Sequence, residues 1–266
     1  MSIDELGFLS PEIELYRQSI RQRDAEFFNL IERAGRCCHA AKTKFQVHNR
    51  DGQEVCAVGL FLKITGDVEA ATLLLERGLT SQARSLLRVA IEGSIILAKI
   101  CEQYEFARVY AIVAEKERLK LIKGIKNDER TGYENLRTEF TDSLVASIEA
   151  TVAGQPTANL WQWANDVNMA PIYAGQYRLF SADVHSGAVS LTKFFIMDDE
   201  GQMKGINWGP ELEDACRAEL IEAVRLLLTG LALANKLFKV DVDTEANPIF
   251  EEYQRLGAMV AEQKRS

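Results

Sequence analysis

The chain is poor in the residues that punctuate, staple or metallate a fold: 5 prolines, 5 cysteines and 3 histidines stand among 266 residues. Valine, isoleucine and threonine do not cluster with period two, so the composition points to helices rather than sheets. The cysteines, Cys37, Cys38, Cys56, Cys101 and Cys216, are odd in number and lie mostly inside apolar helical patterns. That is the usage of reduced, buried cysteines in a cytoplasmic protein, and no disulfide framework is expected. There is no CxxC pair, and Cys37-Cys38-His39 are neighbours that leave a helix in different directions, so a structural zinc is not expected. No glutamate lies three residues before any histidine, so the Glu-x-x-His ligands of carboxylate-bridged di-iron bundles are missing. Phosphate loop, dinucleotide fingerprint and nucleophile elbow are absent too. The expectation is a protein with no metal and no cofactor.

Long hydrophobic runs are also lacking. The longest, Leu226 to Ala234, is about half of the roughly 20 residues a bilayer-spanning helix needs, and Arg225 and Lys236 flank it. The opening MSIDELGFLSPE carries acids where an export signal would carry lysine or arginine. No membrane association is expected. Positive charge is scarce: the net charge is −8 and the pI about 5.1. Broad coating of nucleic acid, which requires many neutralised phosphates, is not expected, and any such contact must be local.

What is present is helical periodicity. Ser10-Pro11-Glu12 opens a helix, and apolar positions from Ile13 to Ala34 keep helical spacing for six turns or more. A second helix runs from about Gln53 to Arg77, with Gly78 just past its end. Thr80 or Ser81 caps a third, whose run LLRVAIEGSIILAKI is apolar nearly all round apart from Arg84, Arg88 and Glu92. A fourth reaches about Lys126, and a weaker fifth covers Tyr133 to Thr151. Ala153 to Thr157 resembles a linker. A short helix with Trp161 and Trp163 follows, then one from about Ile172 to Phe195. Asp198-Asp199-Glu200-Gly201 marks the tip of a β-hairpin. A long apolar helix from Gly209-Pro210-Glu211 to Phe238 and a last one after Asn247-Pro248 complete the chain. The expected fold is all-α: a bundle of about seven to nine helices with one small β-hairpin insert. It forms a single domain with a core over about 10–262 and a possible subdivision near 153–157.

Three groups of residues can carry chemistry. In YRLFSADVHSG, Arg178 and His185 are seven apart, which returns to within about 20° of the same helical direction, and Ser181 lies between them. An arginine holds a phosphate through a planar fork of donors, and a histidine moves a proton near neutrality. Together they suffice to let an RNA 2′-hydroxyl attack its own phosphodiester without a metal. The plainer reading is a core or interface histidine beside a surface arginine. The second group is Arg84, Arg88 and Glu92, where Arg88 and Glu92 are i,i+4 partners on an apolar helix. They are either a buried ion pair or one wall of a polar cleft facing Arg178 and His185. The third is a basic stripe of Lys116, Lys120, Lys123 and Lys126, which either tracks a nucleic-acid backbone or forms a solvated face beside Glu115 and Glu117.

With Arg178 and His185 as its mark, the chain resembles the HEPN superfamily, helical bundles that include metal-independent ribonuclease toxins and defence effectors. That pattern is an arginine, four to six residues and a histidine, usually completed across a homodimer. Here the spacing is six, and Leu179 replaces the polar residue often seen after the arginine. LLLERGLTSQARSLLRVAIE (Leu73 to Glu92) and YRLFSADVHSG (Tyr177 to Gly187) also resemble a bacterial family catalogued only as a domain of unknown function. The expected function is an endoribonuclease of a toxin or phage-defence type. Arg178 would hold the phosphate, His185 would act as general acid or base, and Ser181 would support them. Tyr177, Arg84, Arg88 and Glu92 would line the substrate site. The expected partners are a second copy of the chain, RNA, and an antitoxin or defence-system protein. The alternative is a non-catalytic helical module that binds a protein or small ligand in the Arg88/Glu92 cleft.

Overall fold

A computed structural model of the chain describes residues 2–128, 132–184, 191–210 and 216–263. Within them lie twelve helices and one two-stranded antiparallel sheet. In chain order these are α1 (Ile3–Leu6), α2 (Ile13–Arg23), α3 (Ala25–Lys42), α4 (Gly52–Leu75), α5 (Thr80–Glu102) and α6 (Phe106–Asn127). Then come α7 (Glu134–Glu139), α8 (Asp142–Val152), α9 (Leu160–Asp166), α10 (170–184), β1 (Phe195–Met197), β2 (Met203–Ile206), α11 (Arg217–Phe238) and α12 (Asp243–Gln263).

The all-α class with one hairpin is as expected, but twelve helices exceed seven to nine, and the surplus has local causes. The helix expected to run on from Ser10 is broken at Asp24, whose φ of −110° and ψ of 32° interrupt the α conformation between α2 and α3. Its buried carboxylate accepts from Arg23 Nε (2.9 Å) and Arg217 Nε (2.7 Å). An acid beside a free helix start is favourable, and this one also collects an arginine from the far end of the chain. The stretch from Tyr133 to Thr151 is likewise two helices, because Thr141 caps the second: its hydroxyl accepts from Leu144 N at 3.2 Å. The one-turn α1 adds another. The last helix begins at Asp243, ahead of Pro248, which α12 holds in its second turn. Thr80 lies inside α5 rather than capping it, with Leu79 at the cap position. The parts of the expected helices that fall on 185–190 and 211–215 lie outside the described residues.

The centre of the molecule is α5, which packs on α4, α9, α10 and α11. Leu87, Ile91, Ile95, Leu97 and Ile100 are fully buried there, and one apolar cluster runs from Ile20 to Leu256. Asp51 starts α4 by accepting from Gln53 N (2.9 Å) and Glu54 N (3.1 Å). Gly78 ends its turn with a φ of +73°, and Leu79 N donates back to Leu74 O at 3.0 Å. Close approach of α4 and α5 requires Gly93, where an added Cβ would meet Ile64 Cγ1 at 3.1 Å. Together α4 and α5 form the antiparallel hairpin against which α11 is laid.

Candidate functional site

Residues Arg84, Arg88 and Glu92 recur every four positions along α5, so each stands about 40° round from the last and the stripe drifts slowly across one face. That face meets α10 and the first turn of α11. In α10 the residues Tyr173–Tyr177 form a π-helical turn before α geometry resumes at Arg178. Such wide turns shift the register of everything that follows. Tyr173 and Tyr177 stack with ring centroids 4.7 Å apart, and Trp161 of α9 packs on Tyr173 at 5.3 Å.

The result is a polar seam built around Arg88. Its Nη2 donates to the Tyr177 hydroxyl (2.6 Å), and its Nε donates to Ser181 Oγ (3.3 Å). Its Nη1 lies 3.4 Å from Glu92 Oε2, and the guanidinium carbon sits 4.7 Å from the Tyr177 ring centroid. Ser181 Oγ in turn donates to Tyr177 O at 2.7 Å. Burial pushes the Tyr177 phenol above its ordinary pKa, the Glu92 charge adds to this, and Arg88 opposes it. Tyr177 is therefore neutral at physiological pH. Arg88 is 19% exposed and keeps donors on both terminal nitrogens beyond those used here, so the seam can accept one more oxygen.

Arg84 is held differently. Its Nε and Nη2 both reach Glu219 Oε1, at 2.8 and 2.7 Å, and Asp183 Oδ2 lies 3.8 Å from its Nη1. Ser81 Oγ donates to the other Asp183 oxygen at 2.8 Å. Arg84 thus ties α5 to α10 and α11 at once. Asp183 and Glu219 were not anticipated from the sequence: Asp183 sits in the same motif as Ser181, but Glu219 is 135 residues from the arginine it pairs with.

The seven anticipated site residues are thus divided. Arg84, Arg88, Glu92, Tyr177 and Ser181 meet across the α5/α10 seam. Ser181 shares its face with Tyr177, four residues before it, rather than with Arg178. Arg178 is exposed and makes no hydrogen bond or ion pair with a described residue. His185 follows Val184 directly and lies outside the described residues.

The basic stripe is spent on internal contacts. Lys116 Nζ donates to Gln155 O and Pro156 O, Lys123 pairs with Glu149 (2.6 Å), and Lys126 pairs with Asp142 (2.6 Å). Lys120 pairs with Glu117 on its own helix (2.6 Å). These contacts bind α6 to α8 and the following loop. Trp163 packs edge-on against Phe106 at 5.1 Å and serves the core. All five cysteines are free thiols, and burial pushes Cys38 up to about 12 and Cys101 up to about 11. Burial with the neighbouring Asp24 charge takes Cys216 to about 12. None of these three is a ready nucleophile at neutral pH. Among the described residues no helix is long and apolar enough to cross a membrane, and no three His, Cys, Asp or Glu side chains are grouped to hold a metal ion.

A model of the Family of unknown function (DUF5677) matches residues 54–203, more than half of the chain. The chain belongs to this family. The matched span runs from the first turn of α4 to the start of β2, so the DUF5677 region contains Arg84, Arg88, Glu92, Tyr177, Ser181 and Asp183, while Glu219 lies beyond it. No curated protein and no solved structure matches the chain. Membership in DUF5677 assigns no activity, and function has to be argued from the site.

Proposed function

We propose that this DUF5677 protein is an HEPN-like, metal-independent endoribonuclease acting at the α5/α10 seam. The observation that supports it is that Arg88, oriented by Tyr177, Ser181 and Glu92, keeps donors facing the helix that also carries Arg178 and leads directly into His185. Two guanidinium groups then serve one phosphate, Arg178 from the exposed side and Arg88 from the seam. Cleavage requires three events: the 2′-hydroxyl loses a proton, the phosphorane charge is held, and the 5′-oxygen gains a proton. His185 moves the protons, and the arginines hold the charge. Arg84 and Arg88 are already paired with Glu219, Asp183 and Glu92, so the seam has no large positive field. Binding rests on a few short contacts, and its salt dependence is shallow. A second copy of the chain, a toxin or phage-defence role and an antitoxin or defence-system partner belong to the same proposal.

The test is purified protein with end-labelled RNA in EDTA. Products ending in 2′,3′-cyclic phosphate are expected, with Arg178→Lys nearly as damaging as Arg178→Ala because lysine keeps the charge and loses the fork. Absence of RNA cleavage by the wild type would end the proposal.

A second reading, a non-catalytic module for a protein or small ligand, is favoured by one feature: Arg84 is fully engaged by Glu219 and Asp183 and acts as a brace. Under that reading His185→Ala and Arg178→Ala leave every effect of expression on cell growth unchanged, while Glu92→Ala loosens the fold through Arg88.

A further inference from the structure

The two tryptophans of α9 stand two residues apart and are used differently. Trp163 packs on the apolar core edge-on against Phe106, whereas Trp161 is 45% exposed and lies outside both the core and the side chains packed on it. A tryptophan left in water forgoes the large area its burial would contribute. Its one ring contact among the described residues is Tyr173, at 5.3 Å with 54° between the planes. From there the contacts run inward without a break. Tyr173 stacks on Tyr177 at 4.7 Å and 18°, and the Arg88 guanidinium carbon lies 4.7 Å from the Tyr177 centroid. Trp161 is thus the outer rung of a ladder whose inner end is the arginine of the seam. The two tyrosine rungs are the first and last residues of the π-helical turn, a form of helix often found at functional sites.

We propose that Trp161 is a stacking platform for one unpaired base of a single-stranded RNA whose backbone runs on to Arg88. In naming RNA as the ligand, this deepens the ribonuclease reading and rests on it. Three features favour a base. The inner rings lie face to face at 4.7 Å and leave no room between them for a quaternary ammonium group, which needs rings set around it as a cage. The surroundings of Trp161 are polar: Gln162, Asn165 and Asp166 are all exposed, so the apolar surface fits one planar ring rather than the broad patch a protein partner buries. The third feature is charge. Asp166 is the only charged residue of α9, and Lys99 Nζ donates to it at 2.8 Å, so no unpaired charge on this helix repels a polyanion.

The geometry also fixes where the base sits. The three steps of the ladder, 5.3, 4.7 and 4.7 Å, set Trp161 within about 15 Å of the Arg88 guanidinium, a span that a few nucleotides of unstacked strand cover. A base inside a duplex has both faces covered by its neighbours and cannot reach the ring. Every base has a π face, so the platform selects strandedness rather than sequence.

The test is the affinity of the full chain for a labelled 2′-O-methyl RNA of about 12 nucleotides, read by fluorescence polarisation. The blocked 2′-oxygen cannot attack, so binding is measured apart from cleavage. Wild type is expected to bind the single strand about tenfold more tightly than the same sequence in a duplex. Trp161→Ala and Trp161→Leu are each expected to weaken single-strand binding about tenfold, the scale of losing one stacked base, while Trp161→Phe keeps most of it. Leucine retains the apolar bulk and lacks the π face. All three variants should unfold at the wild-type temperature, because Trp161 lies off the core. A fully abasic strand of the same length should erase the difference between wild type and Trp161→Ala. Equal affinities of those two proteins for the single strand would overturn the platform. So would a leucine variant as tight as wild type, a phenylalanine variant as weak as alanine, a difference that persists with the abasic strand, equal binding of the duplex, or an unfolding temperature lowered in all three variants. RNA cleavage that is unchanged in Trp161→Ala, with unchanged affinity, removes the platform alone; Trp161-dependent binding with no cleavage by wild type removes the ribonuclease reading and leaves the platform in place.

Discussion

The body formed by α3, α4, α5 and α11 and the region from α10 through the hairpin follow opposite rules. In the first, large side chains such as Phe28, Phe61, Leu87 and Ile91 are buried to within a few per cent, and Asp24, Glu76 and Glu219 are buried against arginines. In the second, Leu179, Ile196, Met203 and Trp208 are exposed, and Arg178 has no partner among the described residues. The first region explains why the chain folds. The second carries groups whose cost is not offset within one copy, and that is where a ligand or partner is to be sought.

The comparison can be broken most severely by truncating one large side chain in each region. Phe61→Ala is expected to destabilise by roughly 3–5 kcal/mol in urea unfolding, against about 0.5 kcal/mol or less for Phe195→Ala. Similar losses at the two positions would erase the distinction. The next effect in size concerns the arginines. Arg84→Met strands the buried Glu219 carboxylate and is expected to cost about 3 kcal/mol, whereas Arg178→Ala should leave the unfolding midpoint in place and remove RNA cleavage. A stability loss at Arg178 would make it a structural residue.

A smaller effect is read from pH. Burial pushes the Asp24 carboxyl up, but Arg23 and Arg217 outweigh it and hold the pKa below the ordinary 3.8. A carboxylate with a depressed folded pKa contributes stability that is present above its unfolded pKa and lost as pH falls through the folded one. Stability should therefore drop below about pH 3.8, and Asp24→Asn should flatten that part of the profile while lowering the plateau at neutral pH. An unchanged profile would mean that the α2/α3 break does not depend on the ion pairs. The smallest effect is expected for Tyr177→Phe, which keeps the ring over Arg88 and removes one hydroxyl acceptor. About 1 kcal/mol of stability is at stake, with a larger fractional loss in cleavage rate if Arg88 is oriented for a phosphate.

Much of this architecture was legible from residue spacing. Helical periodicity exposed the long elements, Gly78 marked the end of α4, and Asp-Glu-Gly marked the hairpin tip. The Arg88–Glu92 pair followed from i,i+4 geometry alone. The rest was hidden because it depends on partners far away in the chain. The break at Asp24 is governed by Arg217, nearly 200 residues on, and nothing local distinguishes that aspartate from one on a solvated helix face. The Arg84–Glu219 bond is equally remote. Ser181 and Tyr177 are ordinary i,i+4 neighbours, but the arginine that joins them lies 93 and 89 residues away in the chain. Thr141, by contrast, is a local capping signal inside the stretch from Tyr133 to Thr151 and divides it in two.

The proposed ribonuclease activity turns on His185 as the proton-transfer group, and the most direct measurement is single-turnover RNA cleavage by wild type and His185→Ala at equal folded concentration in EDTA. The account predicts a fall of about 10²-fold or more, the scale of losing a general acid or base, with both proteins unfolding at the same temperature. Equal rates in the two proteins would contradict it and leave the seam as a brace between helices.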